Sequence, residues 1–366
     1  MHGLSVTGNI SRRTGIIIGM RKKIVLTGGG TAGHAVPLLA LLPYFGNRYE
    51  VHFIGRKSGV ERELAEKADV IYHGIDCPKL TRGSLAANIA VPFALIRSRR
   101  KTRAILRDIA PSLILAKGGY VSLPAALESG GVPLVLHESD TSLGLANRLA
   151  AKRAAVICSS FPLPDYKGRK IKCVGSPIRK EIYLGDRERA RMRCGFKGRK
   201  KVLLVMGGSL GAKAINEAVD ANIETLTQRY DVIHLRGKGD PAAPFEGYFP
   251  MEFTPEPHDF FALADLAVTR GGGNTLFELG ALGVPMLIIP LPKGASRGDQ
   301  IANAEYFASH GLALTMDQAN SAALPERVAL LDAKSSSLTA ALRAYRFDGT
   351  EELARLCIKI AETGAI

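Results

Sequence analysis

Ile24-Val-Leu-Thr-Gly-Gly-Gly-Thr-Ala-Gly-His34 is an apolar run, a turn made of glycines, and the approach to a second apolar run, Pro37 to Leu42. The same order of parts returns half a chain later in Val202-Leu-Leu-Val-Met-Gly-Gly-Ser-Leu-Gly-Ala212, followed by Lys213-Ala-Ile-Asn-Glu-Ala-Val219. Each stretch reads as a strand, a turn that glycines permit, and a helix start. Such a turn leaves backbone N–H groups and a helix N-terminus aimed at one spot, which suits phosphate. Two of them predict two doubly wound α/β domains facing each other across a cleft, one wall for a nucleotide and the other for an acceptor.

Apolar runs alternate with helical patterns on both sides of the second turn, as in parallel sheets. The expected strands of the first half are Ile24–Leu26, Val51–Ile54, Leu113–Leu115, Leu134–Leu136 and Ala155–Cys158; those of the second are Val202–Met206, Asp231–Leu235, Leu266–Thr269 and Met286–Ile289. Gly175-Ser-Pro-Ile178 breaks the pattern, so the domains are set at 20–177 and 178–345. Residues 346–366 read as a final amphipathic helix placed to pack back on the first domain. Residues 1–19 read as a disordered extension or an over-called start.

The chain of 366 residues carries a formal charge of +15, which calls for an anionic partner. Nucleic acid fits poorly: no helix-turn-helix, zinc-finger or RNP-type signature is present, and Trp is absent. The five cysteines, Cys77, Cys158, Cys173, Cys194 and Cys357, are scattered and form no C-x-x-C pair, which reads as reduced thiols. No apolar run reaches the length of a membrane span. Leu85 to Ile96 is nonetheless almost wholly apolar, and Arg97-Ser-Arg-Arg-Lys-Thr-Arg103 follows at once, with Arg107 beyond. An apolar patch rimmed by cations suits an anionic membrane surface; the plainer alternative is a buried helix with a solvated basic end.

Several constellations fall at strand ends, where α/β proteins bind ligands. His34 closes the first glycine turn and is a candidate base or phosphate partner. Lys117-Gly118-Gly119-Tyr120 follows the strand Leu113–Leu115, with a helix expected to open at Ser122 or Pro124. His137-Glu138-Ser139-Asp140 follows the strand Leu134–Leu136, where buried charge demands a partner or a ligand; Asn147-Arg148 reads as helix surface. Val268-Thr-Arg-Gly-Gly-Gly-Asn-Thr-Leu-Phe-Glu278 joins a strand to a helix through three glycines, and Asp299-Gln300 and Asn303 follow the next strand. The amides of Gly271–Gly273 suit a diphosphate, Glu278 the two hydroxyls of a ribose, and Gln300 a sugar hydroxyl. A hydride-transfer reading fails, because Val51–Ile54 runs into Gly55-Arg-Lys57 with no acidic residue at its end. P-loop, nucleophile-elbow, D-x-D and H-E-x-x-H patterns are missing, so no metal is expected.

Taken in order from Lys22 to Phe307, these residues resemble the MurG family of peptidoglycan synthesis. That family transfers N-acetylglucosamine from its UDP donor (UDP-GlcNAc) to an undecaprenyl-pyrophosphoryl muramyl-pentapeptide. Thr27 to His34, Gly118-Gly-Tyr120 and Gly207 to Ala212 look like its three glycine loops; His137-Glu138, Gly175 to Arg179, Arg270 to Glu278 and Asp299-Gln300 with Asn303 fit its other motifs. The resemblance implies the GT-B fold of two Rossmann-like domains and an inverting, metal-independent transfer with no cofactor beyond the donor. It implies donor contacts at Arg179, Ser209, Thr254, Gly273, Asn274, Thr275, Leu276, Phe277, Glu278 and Gln300, with Thr31, Ala32 and Gly33 approaching the donor from the acceptor side of the cleft. It implies acceptor contacts at Gly118, Gly119, Tyr120 and His137, and a site of work on the cytoplasmic face of the membrane. Asp140 departs from an Asn common in the family. Ala32 departs from a glycine and is tolerable only with φ below zero.

The implied chemistry is attack of the muramyl 4-hydroxyl on the anomeric carbon with departure of UDP, His34 being the first candidate for base or electrostatic partner and Glu138 the second. A diacylglycerol-glycosylating relative, a UDP-GlcNAc epimerase and a non-catalytic UDP-sugar-binding protein are the competing readings.

Overall fold

The computed structural model describes residues 21–78, 91–208, 211–252, 254, 257–294 and 298–365; residues 1–19, the first part of the apolar–basic segment, Ser209 and Arg297 lie outside the described residues. The first sheet contains β1 (Lys22–Thr27), β2 (Tyr49–Arg56), β3 (Ile71–Ile75), β4 (Leu113–Ala116), β5 (Leu134–Glu138), β6 (Val156–Ser159) and β7 (Ile171–Cys173), in the order β3-β2-β1-β4-β5-β6-β7. The second contains β8 (Lys201–Met206), β9 (Tyr230–Leu235), β10 (Tyr248–Met251), β11 (Leu266–Thr269), β12 (Met286–Ile288) and β13 (Leu314–Thr315), in the order β10-β9-β8-β11-β12-β13. Neighbouring strands pair in parallel throughout. The expectation of two Rossmann-like domains therefore holds.

The central strands are covered by helices on both faces, which is why they read as unbroken apolar runs. Residues 24–27 of β1, all of β4 and all of β5 are buried. Register levels the strand ends. Thr27 pairs with Ala116, which sets the glycine turn after β1 beside Lys117 and Gly118. Thr269 pairs with Met206, which sets Arg270 and Gly271 beside Gly207. In each sheet the order reverses at this pair of strands, the usual place for a ligand crevice.

Strands β3, β7, β10 and β13 were not expected from the sequence, and all four are outermost in their sheets. An edge strand has one neighbour and one wet side, so its apolar signal is short or broken. Ile71 is exposed in β3, β7 has three residues, and β10 contains Pro250, a residue sheets accept at their edges.

Two stretches cross side by side between the domains. Ser176 N–H donates to Phe347 O at 3.0 Å and Gly349 N–H to Ser176 O at 2.9 Å. A Cβ on Gly349 would stand 2.1 Å from Val174 O, so the crossings pack backbone against backbone. Beyond them the helix Thr350–Thr363 turns back onto the first sheet, where Leu353, Ala354, Leu356, Cys357, Ile360 and Ala361 share a core with Ile24, Leu26, Phe53 and Leu115. Lys22 Nζ reaches Ala361 O at 3.1 Å, joining the first described strand to the last helix. Ile360→Ala should lower the unfolding free energy by about 2–5 kcal/mol, as for other large-to-small core changes, a loss that urea unfolding would measure.

Candidate active site

The first glycine turn delivers its residues to the cleft through the helix Ala32–Leu39. Ala32 is not among the non-glycine residues with positive φ, so the departure from glycine costs no backbone strain. Thr31 Oγ1 and His34 Nδ1 lie 2.9 Å apart, which fixes the imidazole and turns Nε2 toward the second turn: a Cβ on Gly119 would stand 3.4 Å from His34 Nε2. Tyr120 lies over Gly30. The helix after β4 spans Gly119–Leu127, earlier than the expected opening at Ser122 or Pro124, because the turn is completed at the glycines and Ser122 Oγ bonds back to Gly119 O.

Behind this wall the loop after β5 is locked by Glu138. Its carboxylate accepts from Ser139 N–H (3.0 Å), Asp140 N–H (3.3 Å), Gly144 N–H (2.8 Å) and Asn147 Nδ2 (2.9 Å). Burial, then Asp140, pushes its acidity toward the neutral form, and these donors oppose that. Asn147 is 1% exposed, correcting its assignment to helix surface: on a helix as short as Leu145–Ala150 one face serves the loop. His137 is buried, and burial followed by the charge of Lys117 holds its pKa well below the usual value. Lys117, 3% exposed, lies against His137, and burial lowers its pKa from 10.5 to about 8, opposed by the charges of Glu138 and Asp140.

The loop after β5 meets the second domain directly. Asn303, on the helix Asp299–Ser309, accepts from Thr141 N–H at 3.0 Å and donates to Asp140 Oδ1 (3.0 Å) and Gly271 O (2.9 Å). Ser142 Oγ donates to Asp299 Oδ1 at 2.9 Å. Asn274 Nδ2 donates to Gly33 O at 2.8 Å. Gly273 needs to be glycine here, because a Cβ would stand 2.2 Å from Ser139 O.

The helix Gly273–Ala281 follows the triple glycine, and no side chain caps it. Its first intrahelical bond is from Leu276 N–H to Gly272 O, so the N–H groups of Gly273, Asn274 and Thr275 precede the ladder at the positive end of the helix dipole. Leu276 and Phe277 point the other way: both are fully buried, and Phe277 packs edge-on against Phe161 and Phe347. Their side chains belong to the core. Glu278 comes out again one turn on and pairs with Arg179 Nε at 3.2 Å; burial raises its pKa and Arg179 opposes the rise. Gln300 Oε1 accepts from Leu291 N–H at 3.0 Å, and Thr254 is half-buried. Arg270, which the sequence reading quoted without a role, is buried; its Nη1 donates to Ile289 O and Pro290 O, while Nε meets no protein acceptor among the described residues. Lys117 and Ser139 were also missed as participants. The available signal was a lysine ending an all-apolar strand.

Two facing Rossmann-like domains, an uncapped helix end on one carboxyl edge and a glycine turn bearing His34 on the other define a nucleotide-sugar glycosyltransferase. The chain belongs to glycosyltransferase family 28: the family's N-terminal domain matches residues 24–159 and its C-terminal domain residues 202–353. Two relatives are named UDP-N-acetylglucosamine--N-acetylmuramyl-(pentapeptide) pyrophosphoryl-undecaprenol N-acetylglucosamine transferase. That of Geobacillus kaustophilus is 44% identical over 305 residues, 80% of this chain and 85% of its own. A second, from Bacillus anthracis and numbered 2, is 39% identical over 357 residues, 93% of this chain and 99% of its own. The fold matches the crystal structure of Acinetobacter baumannii MurG with a TM-score of 0.71 at 21% identity, covering 93% and 99% of the two chains.

Lys117 makes stability depend on pH. Its folded pKa lies below its unfolded one, so holding the proton costs stability below about pH 8, and the cost fades as the pH rises to 10.5. Relative to Lys117→Met, the wild type should gain up to about 3 kcal/mol between pH 7.5 and pH 10.5. Urea unfolding of the two proteins at both pH values measures this.

Proposed function

We propose that this protein transfers N-acetylglucosamine from UDP-GlcNAc to the muramyl 4-hydroxyl of an undecaprenyl-pyrophosphoryl muramyl-pentapeptide, with inversion, without a metal, and at the cytoplasmic face of the membrane. The observation that carries this reading is the pairing of a donor cradle, the N-terminus of Gly273–Ala281 with the Arg179–Glu278 pair, with His34 and Gly119 on the opposite wall. Relatives with the printed transferase name, similar over four-fifths of the chain or more, support it.

The diphosphate of the donor is met by the N–H groups of Gly273, Asn274 and Thr275, with Ser209 adding to them from the third glycine loop. Glu278 takes the ribose hydroxyls, which frees Arg179 for the departing charge. The acceptor hydroxyl approaches along Gly118, Gly119, Tyr120 and His137. It gives its proton to His34 as its oxygen bonds the anomeric carbon and the bond to UDP breaks. Thr31, bonded to Nδ1 at 2.9 Å, holds the ring that takes that proton. With four donors on its carboxylate, Glu138 holds the loop and is the less suited base. Gln300 and Thr254 complete the donor side.

No helix among the described residues is long and apolar enough to cross a membrane. Membrane contact falls instead to the helix Val91–Ile109, which buries Ser98, Thr102, Leu106 and Ile109 and exposes Phe93 (73%) and Ile96 (46%). Arg99 and Arg103 are pinned by Glu128, while Arg97 borders, with Arg56, Lys57 and Phe93, a groove of about 500 Å³. Apolar side chains amid cations suit anionic lipid.

UDP release measured in EDTA should depend on a short-chain lipid-pyrophosphate muramyl-pentapeptide. Release from UDP-GlcNAc alone would favour an epimerase, diacylglycerol as sole acceptor the lipid-glycosylating reading, and binding without turnover the non-catalytic one. His34→Ala should cut kcat by about 100-fold or more. Phe93→Glu should weaken sedimentation with phosphatidylglycerol vesicles and leave turnover of a soluble acceptor analogue unchanged.

A further inference from the structure

The floor of the cleft holds a cation that the transfer chemistry leaves unused. Lys117 Nζ lies 3.2 Å from His137 Nδ1 and also donates to Ser139 Oγ. Because Nδ1 accepts, His137 carries its proton on Nε2, which donates to Gly175 O at 3.2 Å in the crossing between the domains. On the other side Ser139 Oγ donates to Asn274 Oδ1 at 3.3 Å, and Asn274 Nδ2 donates to Gly33 O, next to His34. One chain of hydrogen bonds thus runs from the interdomain crossing through Lys117 to the donor helix and back to the first glycine loop.

Its direction depends on a proton. A hydroxyl has one hydrogen. While Lys117 is an ammonium it can only donate, so the hydrogen of Ser139 is left for Asn274. A neutral amine presents a lone pair, and that hydrogen turns back to Nζ. We propose that protonated Lys117 is a positioning residue for the glycosyl transfer, orienting Ser139 so that Asn274 holds the donor helix in register with the loop that carries His34. This rests on the transferase reading above.

The charged and titratable groups around Lys117 are His137 and Glu138 from β5, Asp140 from the loop after it, and His34 across Gly119. The two carboxylates favour the ammonium and burial disfavours it, which brings its titration to about 8. Asp140 supplies one of those charges.

The test is the pH dependence of acceptor-dependent UDP release from pH 6.5 to 9.5, with UDP affinity followed by calorimetry. The wild type should lose kcat above about pH 8, approaching tenfold per pH unit. Lys117→Met and Ser139→Ala should each lower kcat at pH 7 by about tenfold or more, lack that alkaline limb, and keep UDP affinity within about threefold. Ser139→Ala removes the relay and keeps the lysine in place, so it decides the matter if the methionine variant does not fold. A limb near pH 8 that survives in Ser139→Ala, or wild-type kcat in that variant, overturns the positioning role alone. Wild-type release with no acceptor dependence overturns the transferase reading and this inference with it.

Discussion

The side-chain amide of Asn303 is the constraint on which the arrangement of the cleft depends. It is fully buried, and both its ends are used: the oxygen by the backbone of Thr141, the nitrogen by Asp140 and by the carbonyl of Gly271. Each hydrogen bond is worth about 1 kcal/mol net, but a buried amide stripped of partners costs about 1–3 kcal/mol. The interaction therefore specifies more than it stabilises. It allows one placement of the turn 270–273 against the loop after β5, and that placement brings the donor helix within reach of Gly33 and leaves Gly273 no room for a side chain.

A protein with a formal charge of +15 lines this cleft with two carboxylates, the buried Glu138 and the half-buried Glu278. Each is neutralised by different means. Glu138 is held by backbone amides and Asn147, a rigid arrangement that organises a loop. Glu278 is held by the single, partly exposed guanidinium of Arg179, a partner that a polar ligand can replace. Burial raises the pKa of both, yet the first suits a fixed support and the second a recognition group. The basic excess lies elsewhere, much of it on the helix Val91–Ile109.

The central strands were legible because burial on both faces leaves an unbroken apolar run, and the glycine turns because few residues make them. The four edge strands were not, since a strand such as Tyr248–Met251 that admits a proline carries little pattern. In the site, the block from Arg270 to Glu278 announced a ligand but not how its side chains divide. A 100° turn per residue sends Leu276 and Phe277 into the aromatic core and returns Glu278 to the cleft. Asn147 passed for surface because its partner, Glu138, lies in another element, and Lys117 drew no role because its neighbours come from the next strand. Contacts of that kind are set by register and have no local signature.

The helix Thr350–Thr363 fills the core beneath β1, β2 and β4, so the first sheet is finished by residues that follow the whole of the second. A ribosome makes the two parts in the opposite order from the one in which that core needs them. While the second sheet is being synthesised, the underside of the first has its strands but not its lid. An apolar surface meanwhile waits until the helix that covers it is made, a natural place for a chaperone to bind.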